Sequence, residues 1–255
     1  MDFLIGDIGN TNTKICLIDL KTFKIKKTIF FNSLNINSHN FLKKKLNKII
    51  IKKNIHKIAL FSSVVPKYKL ILRSFLKKFY KIKFIEIKDK NIKKIIKIKI
   101  ANKKQVGSDR IANAVGVYQR YKCDCIVLDF GTATTFDVIN AKGHFLGGAI
   151  ATGLETSAQY LFNNAALLEK TSLIFPENII GKNTAENIQS GIMYGTVGQV
   201  EGIIERIKIE SSIQNYSIIL TGGLSPLISK KIKYKHILDT DLTLKGIFEI
   251  YKQQN

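Results

Sequence analysis

The chain reads as an α/β protein made of two related halves, and three observations predict it. An Asp-x-Gly turn occurs twice in the same setting. Phe3-Leu4-Ile5 runs into Asp7-Ile8-Gly9-Asn10-Thr11, and Cys125-Ile126-Val127-Leu128 runs into Asp129-Phe130-Gly131-Thr132-Ala133, about half the 255-residue chain away. Each turn is followed by a second apolar, β-branched run, residues 14–18 and 134–139, so each reads as a hairpin. Around both turns the periodicity gives the same order, β-β-β-α-β-α. The expected halves are residues 1–105 and 106–255.

In the first half, residues 2–20 form the hairpin and 24–31 a third strand. Leu42, Leu46, Ile49 and Ile50 recur at helical spacing and predict an amphipathic helix over 40–52. Residues 56–65 are apolar and β-branched, a strand stopped by Pro66. A helix over 68–80 and a strand over 83–88 complete the half.

The second half opens with a helix over 109–121, with Ile111, Val115 and Tyr118 on one face. The second hairpin covers 126–139 and its third strand 144–150. Long helices follow over 154–168 and 184–207. A strand over 216–220 ends in Thr221-Gly222-Gly223, and a last helix follows Leu244.

Composition narrows the function. The formal net charge is +22, which invites a nucleic-acid reading. Lysine supplies nearly all of it; Arg73, Arg110, Arg120 and Arg206 are the arginines. Arginine is the preferred residue for bidentate phosphate recognition, so the charge reads as a solvated basic surface, densest over residues 40–104, and not as a nucleic-acid site. Cys16, Cys123 and Cys125 have no metal-ligand spacing and lie in or beside apolar strands, as buried thiols of a reducing compartment do. His39, His56, His144 and His236 form no ligand or triad pattern. No signal peptide is visible, and no apolar run reaches the roughly 18 residues of a membrane helix. A cytoplasmic protein is expected.

The turns carry the chemistry. A lone Asp-x-Gly is most often an ordinary tight turn whose carboxylate caps its own backbone. Here three more polar residues surround the first glycine, and Asp129 to Asp137 supply a counterpart. Glycine lets backbone N–H groups approach phosphate oxygens, and the carboxylates hold cations nearby, a combination that suits phosphoryl transfer from a nucleotide triphosphate. Gly107-Ser108-Asp109-Arg110 opens a helix. Ser108 and Asp109 are accounted for as N-terminal caps, worth about 1 kcal/mol. Arg110 is not, because a cation at a helix start opposes the macrodipole; it calls for a partner such as an anionic ligand. Asp109 beside it is placed to take a proton from a substrate hydroxyl.

These residues together resemble the type III pantothenate kinase family, within the actin-like (ribonuclease H-like) ATPase and sugar-kinase superfamily. The resemblance runs through Asp7-Ile-Gly-Asn-Thr-Asn, Ser63-Val-Val-Pro66, Gly107-Ser-Asp-Arg110 and Asp129-Phe-Gly-Thr-Ala-Thr-Thr-Phe-Asp137. It continues through Gly147-Gly-Ala-Ile150, Gly181-Lys-Asn-Thr184, Gly191-Ile-Met-Tyr-Gly195, Thr221-Gly-Gly223 and Leu242-Thr-Leu-Lys-Gly246, with order and spacing both in agreement.

The resemblance implies two actin-like domains with an ATP cleft between them, and ATP-dependent phosphorylation of pantothenate to 4′-phosphopantothenate, the first step of coenzyme A biosynthesis. It implies ATP binding by Asp7, Ile8, Gly9, Asn10, Thr11, Asn12, Thr13, Lys14 and Thr132. Pantothenate would meet Ile100, Gly107, Ser108, Asp109, Arg110 and Thr184, with Asp109 as the general base. Asp129 would bind a monovalent cation, K⁺ or NH₄⁺, beside the Mg²⁺ that accompanies ATP. The family is homodimeric, and Gly147 to Gly153 resemble its interface motif. The chain departs from the family pattern at Ile100, usually aromatic, and at Lys103 and Thr152, both usually proline. Two alternatives stay open: a non-catalytic regulatory relative, and a kinase of another small alcohol.

Overall fold

The computed structural model describes residues 1–22, 24–50, 54–165, 168–211, 213 and 215–253. They divide into two compact units: Met1–Lys122 with Gly143–Phe145 and Leu242–Asn255, and Cys123–Lys142 with Leu146–Asp241.

The first unit is built on a five-stranded sheet. Strands β1 (Asp2–Ile8), β2 (Asn12–Asp19) and β3 (Ile25–Asn32) form an antiparallel meander; β4 (Ile55–Ser63) and β5 (Lys83–Glu86) join it in parallel. The order is β3-β2-β1-β4-β5. Helices α1 (His39–Leu46) and α2 (Pro66–Tyr80) provide the crossovers that parallel neighbours require. Leu42, Leu46, Leu72, Phe75 and Leu76 pack with Leu4, Ile8, Ile15 and Phe61 in one core. This unit also holds α3 (Ser108–Tyr121) and α7 (Leu242–Lys252), together with the short strand β6 (Lys97–Ile98), which pairs with His144 and Phe145.

The second unit repeats the pattern. Strands β7 (Cys125–Phe130) and β8 (Ala133–Ile139) form the hairpin, β9 (His144–Thr152) follows, and β10 (Ser217–Thr221) and β11 (Ile237–Leu238) add in parallel. Its order, β11-β10-β7-β8-β9, is that of the first unit with each strand replaced by its counterpart. Helices α4 (Leu154–Asn164), α5 (Thr184–Ser211) and α6 (Ser225–Ile228) complete it, with Met193, Val197, Val200 and Ile204 of α5 packed on Ile126, Leu128 and Phe130. No helix among the described residues is long and apolar enough to cross a membrane.

The expected elements occur in the expected order, with β6, α6 and β11 in addition to them, and several boundaries differ for local reasons. The helix expected over 40–52 ends at Leu46, and residues 51 and 52 lie outside the described residues. The helix expected over 154–168 ends at Asn164, with 166 and 167 likewise outside. Pro66 does more than stop a strand: β4 ends at Ser63 and Pro66 occupies the first turn of α2, where its missing N–H costs nothing. The strand expected over 83–88 gives way after Glu86 to a 3₁₀ turn, with the Glu86 carboxylate accepting from Lys88 N–H (3.0 Å). Helix α5 runs on to Ser211, and α7 starts at Leu242.

Candidate active site

Asp7 and Asp129 occupy equivalent places. Each is the penultimate residue of its unit's central strand, and each lies in register with a hydroxyl residue on the neighbouring parallel strand: Ser62 for Asp7, Thr221 for Asp129. Lys14 is opposite Asp7 across the antiparallel pair, the register at which unlike charges stabilise a sheet.

The first turn is closed by Gly9 N–H donating to the Asn12 carbonyl (3.0 Å). It exposes Asn10, Thr11 and Asn12 and buries Ile8 and Thr13. Of the eight residues expected at the phosphates, Ile8 and Thr13 therefore face the core and support the turn. Ser33 anchors it from behind: its hydroxyl donates to the Gly9 carbonyl (2.7 Å) and lies 2.8 Å from Thr13 Oγ1, and its N–H donates to the Thr11 carbonyl (2.8 Å).

The second turn has the same design. Gly131 N–H donates to the Ala133 carbonyl (3.1 Å), and Gly131 and Thr132 are exposed. The Thr132 carbonyl accepts from Gly153 N–H (3.2 Å) and from the Thr156 hydroxyl (2.7 Å). Only glycine fits at 153, because a Cβ there would collide with the Gly131 and Thr132 carbonyls. Gly222, at φ +90°, brings backbone against Asp129, where a Cβ would sit 2.5 Å from Asp129 Oδ1. A carboxylate with carbonyl oxygens beside it is a donor set for a hard cation. Among the described residues no cluster of three His, Cys, Asp or Glu forms a metal cage.

Helix α3 begins next to the first turn. The Ser108 hydroxyl accepts from Ser63 N–H (2.9 Å), donates to the Ser63 carbonyl (2.9 Å) and lies 3.3 Å from Ser62 Oγ. Val64 N–H donates to the Ile8 carbonyl (3.2 Å). The ends of β1 and β4 and the start of α3 thus meet, and Ser108, fully buried, spends its hydroxyl on that junction. Asp109 follows, with Oδ1 accepting from Arg110 N–H (2.8 Å). It keeps some surface, but its carboxyl lies deep among protein atoms, and this desolvation pushes its pKa above the ordinary carboxylate value against the opposing pull of Arg110 and Lys88. The Arg110 guanidinium lies over the Phe145 ring, 5.4 Å from its centroid. Helix α3 is held in turn by α7: the Thr243 hydroxyl donates to Asn113 Oδ1 (2.8 Å), and Gly116 and Gly246 let the two backbones approach.

The remaining expected residues are more peripheral. Ile100 is half-buried just after β6. Thr184 is exposed at the first position of α5, where Asn183 and Glu186 form a reciprocal cap: Glu186 N–H donates to Asn183 Oδ1 (2.9 Å), and the Glu186 carboxylate accepts from Asn183 Nδ2 (2.9 Å) and from Lys182 N–H (2.7 Å). Asp7 to Lys14, Ile100 and Gly107 to Arg110 belong to the first unit; Asp129, Thr132 and Thr184 belong to the second. Ser33, Ser62, Phe145 and Thr156 were not singled out from the sequence, and Gly246 entered only as the end of a resemblance motif, with no role attached. For Ser33 and Ser62 the one signal was residue type, a hydroxyl near a strand end, and Phe145 and Thr156 carried none.

Two duplicated hairpin turns, each backed by its own parallel strand, define an actin-like ATPase and sugar-kinase fold. Solved structures agree on the fold. This chain is similar to the ethanolamine utilization protein EutJ from Carboxydothermus hydrogenoformans (TM-score 0.60, 14% identity, 98% of this chain and 90% of that one). It is also similar to the activator of the 2-hydroxyisocaproyl-CoA dehydratase from Clostridium difficile with bound ADPNP (TM-score 0.55, 14% identity, 100% and 97%). The family model described as type III pantothenate kinase matches residues 3–206. A type III pantothenate kinase of Pelagibacter ubique (strain HTCC1062) is 44% identical over 245 residues, 96% of each chain. The chain belongs to the type III pantothenate kinase family, a family of phosphotransferases that use ATP.

Proposed function

We propose that Asp109 is the general base of this enzyme and that the residues around it bind pantothenate. The reaction is ATP-dependent phosphorylation of pantothenate, the entry to coenzyme A biosynthesis. The observation that carries the assignment of the base is the Asp109 carboxyl at the start of α3, desolvated, oriented by Arg110 N–H, and beside the ends of β1 and β4. In the reaction the primary hydroxyl of pantothenate gives its proton to Asp109 as its oxygen bonds to the γ-phosphorus and the bond to ADP breaks. A carboxylate with a raised pKa is a better proton acceptor than an ordinary one, and such assistance is worth roughly 10²–10⁴-fold.

Phosphoryl transfer otherwise asks for positioning and charge neutralisation. The exposed Asn10, Thr11 and Asn12, with Asp7, Gly9 and Lys14, are assigned to phosphate binding, and Ile8 and Thr13 to shaping that turn. Thr132 is assigned a contact to ATP. Mg²⁺ accompanies ATP, and Asp129 with its neighbouring carbonyls is assigned a monovalent cation, K⁺ or NH₄⁺, which would offset phosphate charge. Arg110, fixed over Phe145, is assigned to the pantothenate carboxylate, Ile100 to its dimethyl group, Gly107 to room for the base, Ser108 to the junction that holds the helix start, and Thr184 to a further substrate contact.

A homodimer belongs to the same reading. It is supported by the apolar side chains exposed on β9 and α4, Leu146, Ile150 and Tyr160. A cytoplasmic setting is assigned with it, in keeping with Cys16 and Cys125 buried in their strands as small apolar side chains. The test is product identity: after incubation with ATP, Mg²⁺ and K⁺, mass spectrometry should find 4′-phosphopantothenate in step with ADP. Phosphorylation of a different alcohol in preference to pantothenate would overturn the substrate assignment.

A further inference from the structure

The lysine excess over residues 40–104 is not used by the site described above, and part of it converges on one cavity. At the edge strand β5 and the C-terminal end of α2 lies a cavity of about 900 Å³. Arg73, Lys77, Lys81, Lys83 and Lys90 line it, against the single carboxylate of Asp89. Ile82, Phe84 and Ile85 supply its apolar lining. Phe84 stacks on Phe61 (centroids 4.6 Å apart, planes at 9°), and the Arg73 guanidinium lies over its ring, 5.4 Å from the centroid.

Ordinary roles explain some of these charges. Lys77 near the end of α2 complements the helix dipole, and Lys83 on an edge strand discourages pairing with another chain. They do not explain Arg73. Its terminal nitrogen reaches Asp89 only at 3.7 Å, and its Nε–H is buried with no hydrogen-bond partner among the described residues. Five cations lining one cavity repel each other until an anion fills the space, and a guanidinium can meet a phosphate with two N–H donors at once. A cavity of this size suits a small molecule better than a nucleic-acid backbone, which would track along a groove or stripe.

We propose that this cavity binds a small phosphorylated ligand whose phosphates meet Arg73, Lys77, Lys83 and Lys90 and whose apolar or planar part rests beside Phe84. The site is separate from Asp109 and does not depend on the assignment of that residue.

The test uses the whole ¹⁵N-labelled chain at low ionic strength, titrated with inorganic tripolyphosphate (charge alone) and 1-naphthyl phosphate (charge beside a ring). Saturable amide shifts are expected at residues 73, 77, 81–85 and 90 with both probes. The Arg73→Gln/Lys83→Gln variant should weaken them at least tenfold, while Asp109→Asn leaves them unchanged. Lys77→Gln/Lys90→Gln, which keeps the Arg73–Phe84 contact, should weaken them several-fold and guards against a loss caused by repacking. Shifts confined to residues 7–14 and 129–134, or equal affinity in wild type and both double variants, would overturn the proposal. The lysines would then be edge-strand protection and helix-end charge alone.

Discussion

A side chain at position 107 would occupy the space of the Asp109 carboxylate: a Cβ built on Gly107 falls on Asp109 Oδ1, closer than real atoms approach. The atom it would strike is the end of a side chain, which can move, while the nearest other neighbour, Val64 Cγ1, is 3.7 Å away. Gly107→Ala should therefore displace the carboxylate and leave the fold intact. The expected result is a fall in kcat of tenfold or more with a melting temperature within a degree or two of wild type, checked by steady-state kinetics and calorimetry on the same sample.

Asp109 also sets a pH dependence. Its pKa is raised in the folded protein because burial disfavours the ionised form. A raised carboxyl pKa favours folding below the ordinary value of about 3.9, and that contribution is lost as pH rises through the folded value; above it the ionised group is a cost. Asp109→Asn should then be more stable than wild type at neutral pH, with the gap closing on acidification. Activity should move the other way, because the base must be ionised. The acidic limb of kcat/KM in wild type should lie above the ordinary carboxylate range. Denaturant titrations and a pH–rate profile check the two halves.

The turns and the order of the elements were legible in the sequence because both depend on local pattern: alternating apolar runs, an Asp-x-Gly break, then helical spacing. The supports of the site were not. Ser33 reaches Gly9, Phe145 lies under Arg110, and Thr243 bonds to Asn113; these pairs are distant in the chain and carry no spacing signal. Thr13 illustrates the limit of a motif. It lies within the phosphate-turn pattern, yet strand alternation turns it inward to Ser33. Asn183 and Glu186 illustrate the reverse, since a reciprocal helix cap lies within the motif around Thr184.

Ser33 offers a second way to loosen the site. Ser33→Ala leaves the part-buried Gly9 carbonyl and the buried Thr13 hydroxyl short of a partner, and a lost buried hydrogen bond costs about 1–3 kcal/mol. The expected outcome is a drop in melting temperature together with a several-fold rise in KM for ATP. KM for pantothenate should change less, because helix α3 is anchored to β4 through Ser108 and Ser63.

Gly246 tests the support of α3 from below. A Cβ there would collide with the Ala112 carbonyl, a backbone atom that cannot turn aside. Forcing α7 away from α3 is overpacking, with a typical cost of about 1–3 kcal/mol. Gly246→Ala should therefore lower both stability and kcat. This distinguishes it from Gly107→Ala, which should lower kcat alone.

The most direct measurement is ADP release from ATP, Mg²⁺ and K⁺, with and without pantothenate, for wild type and Asp109→Asn. Wild type should show turnover that requires pantothenate, and the variant, folded by circular dichroism, should lose about 10²-fold or more. Pantothenate-dependent turnover that persists at the wild-type rate in Asp109→Asn would contradict the role assigned to that carboxylate. No pantothenate-dependent turnover from folded wild type would contradict the activity itself.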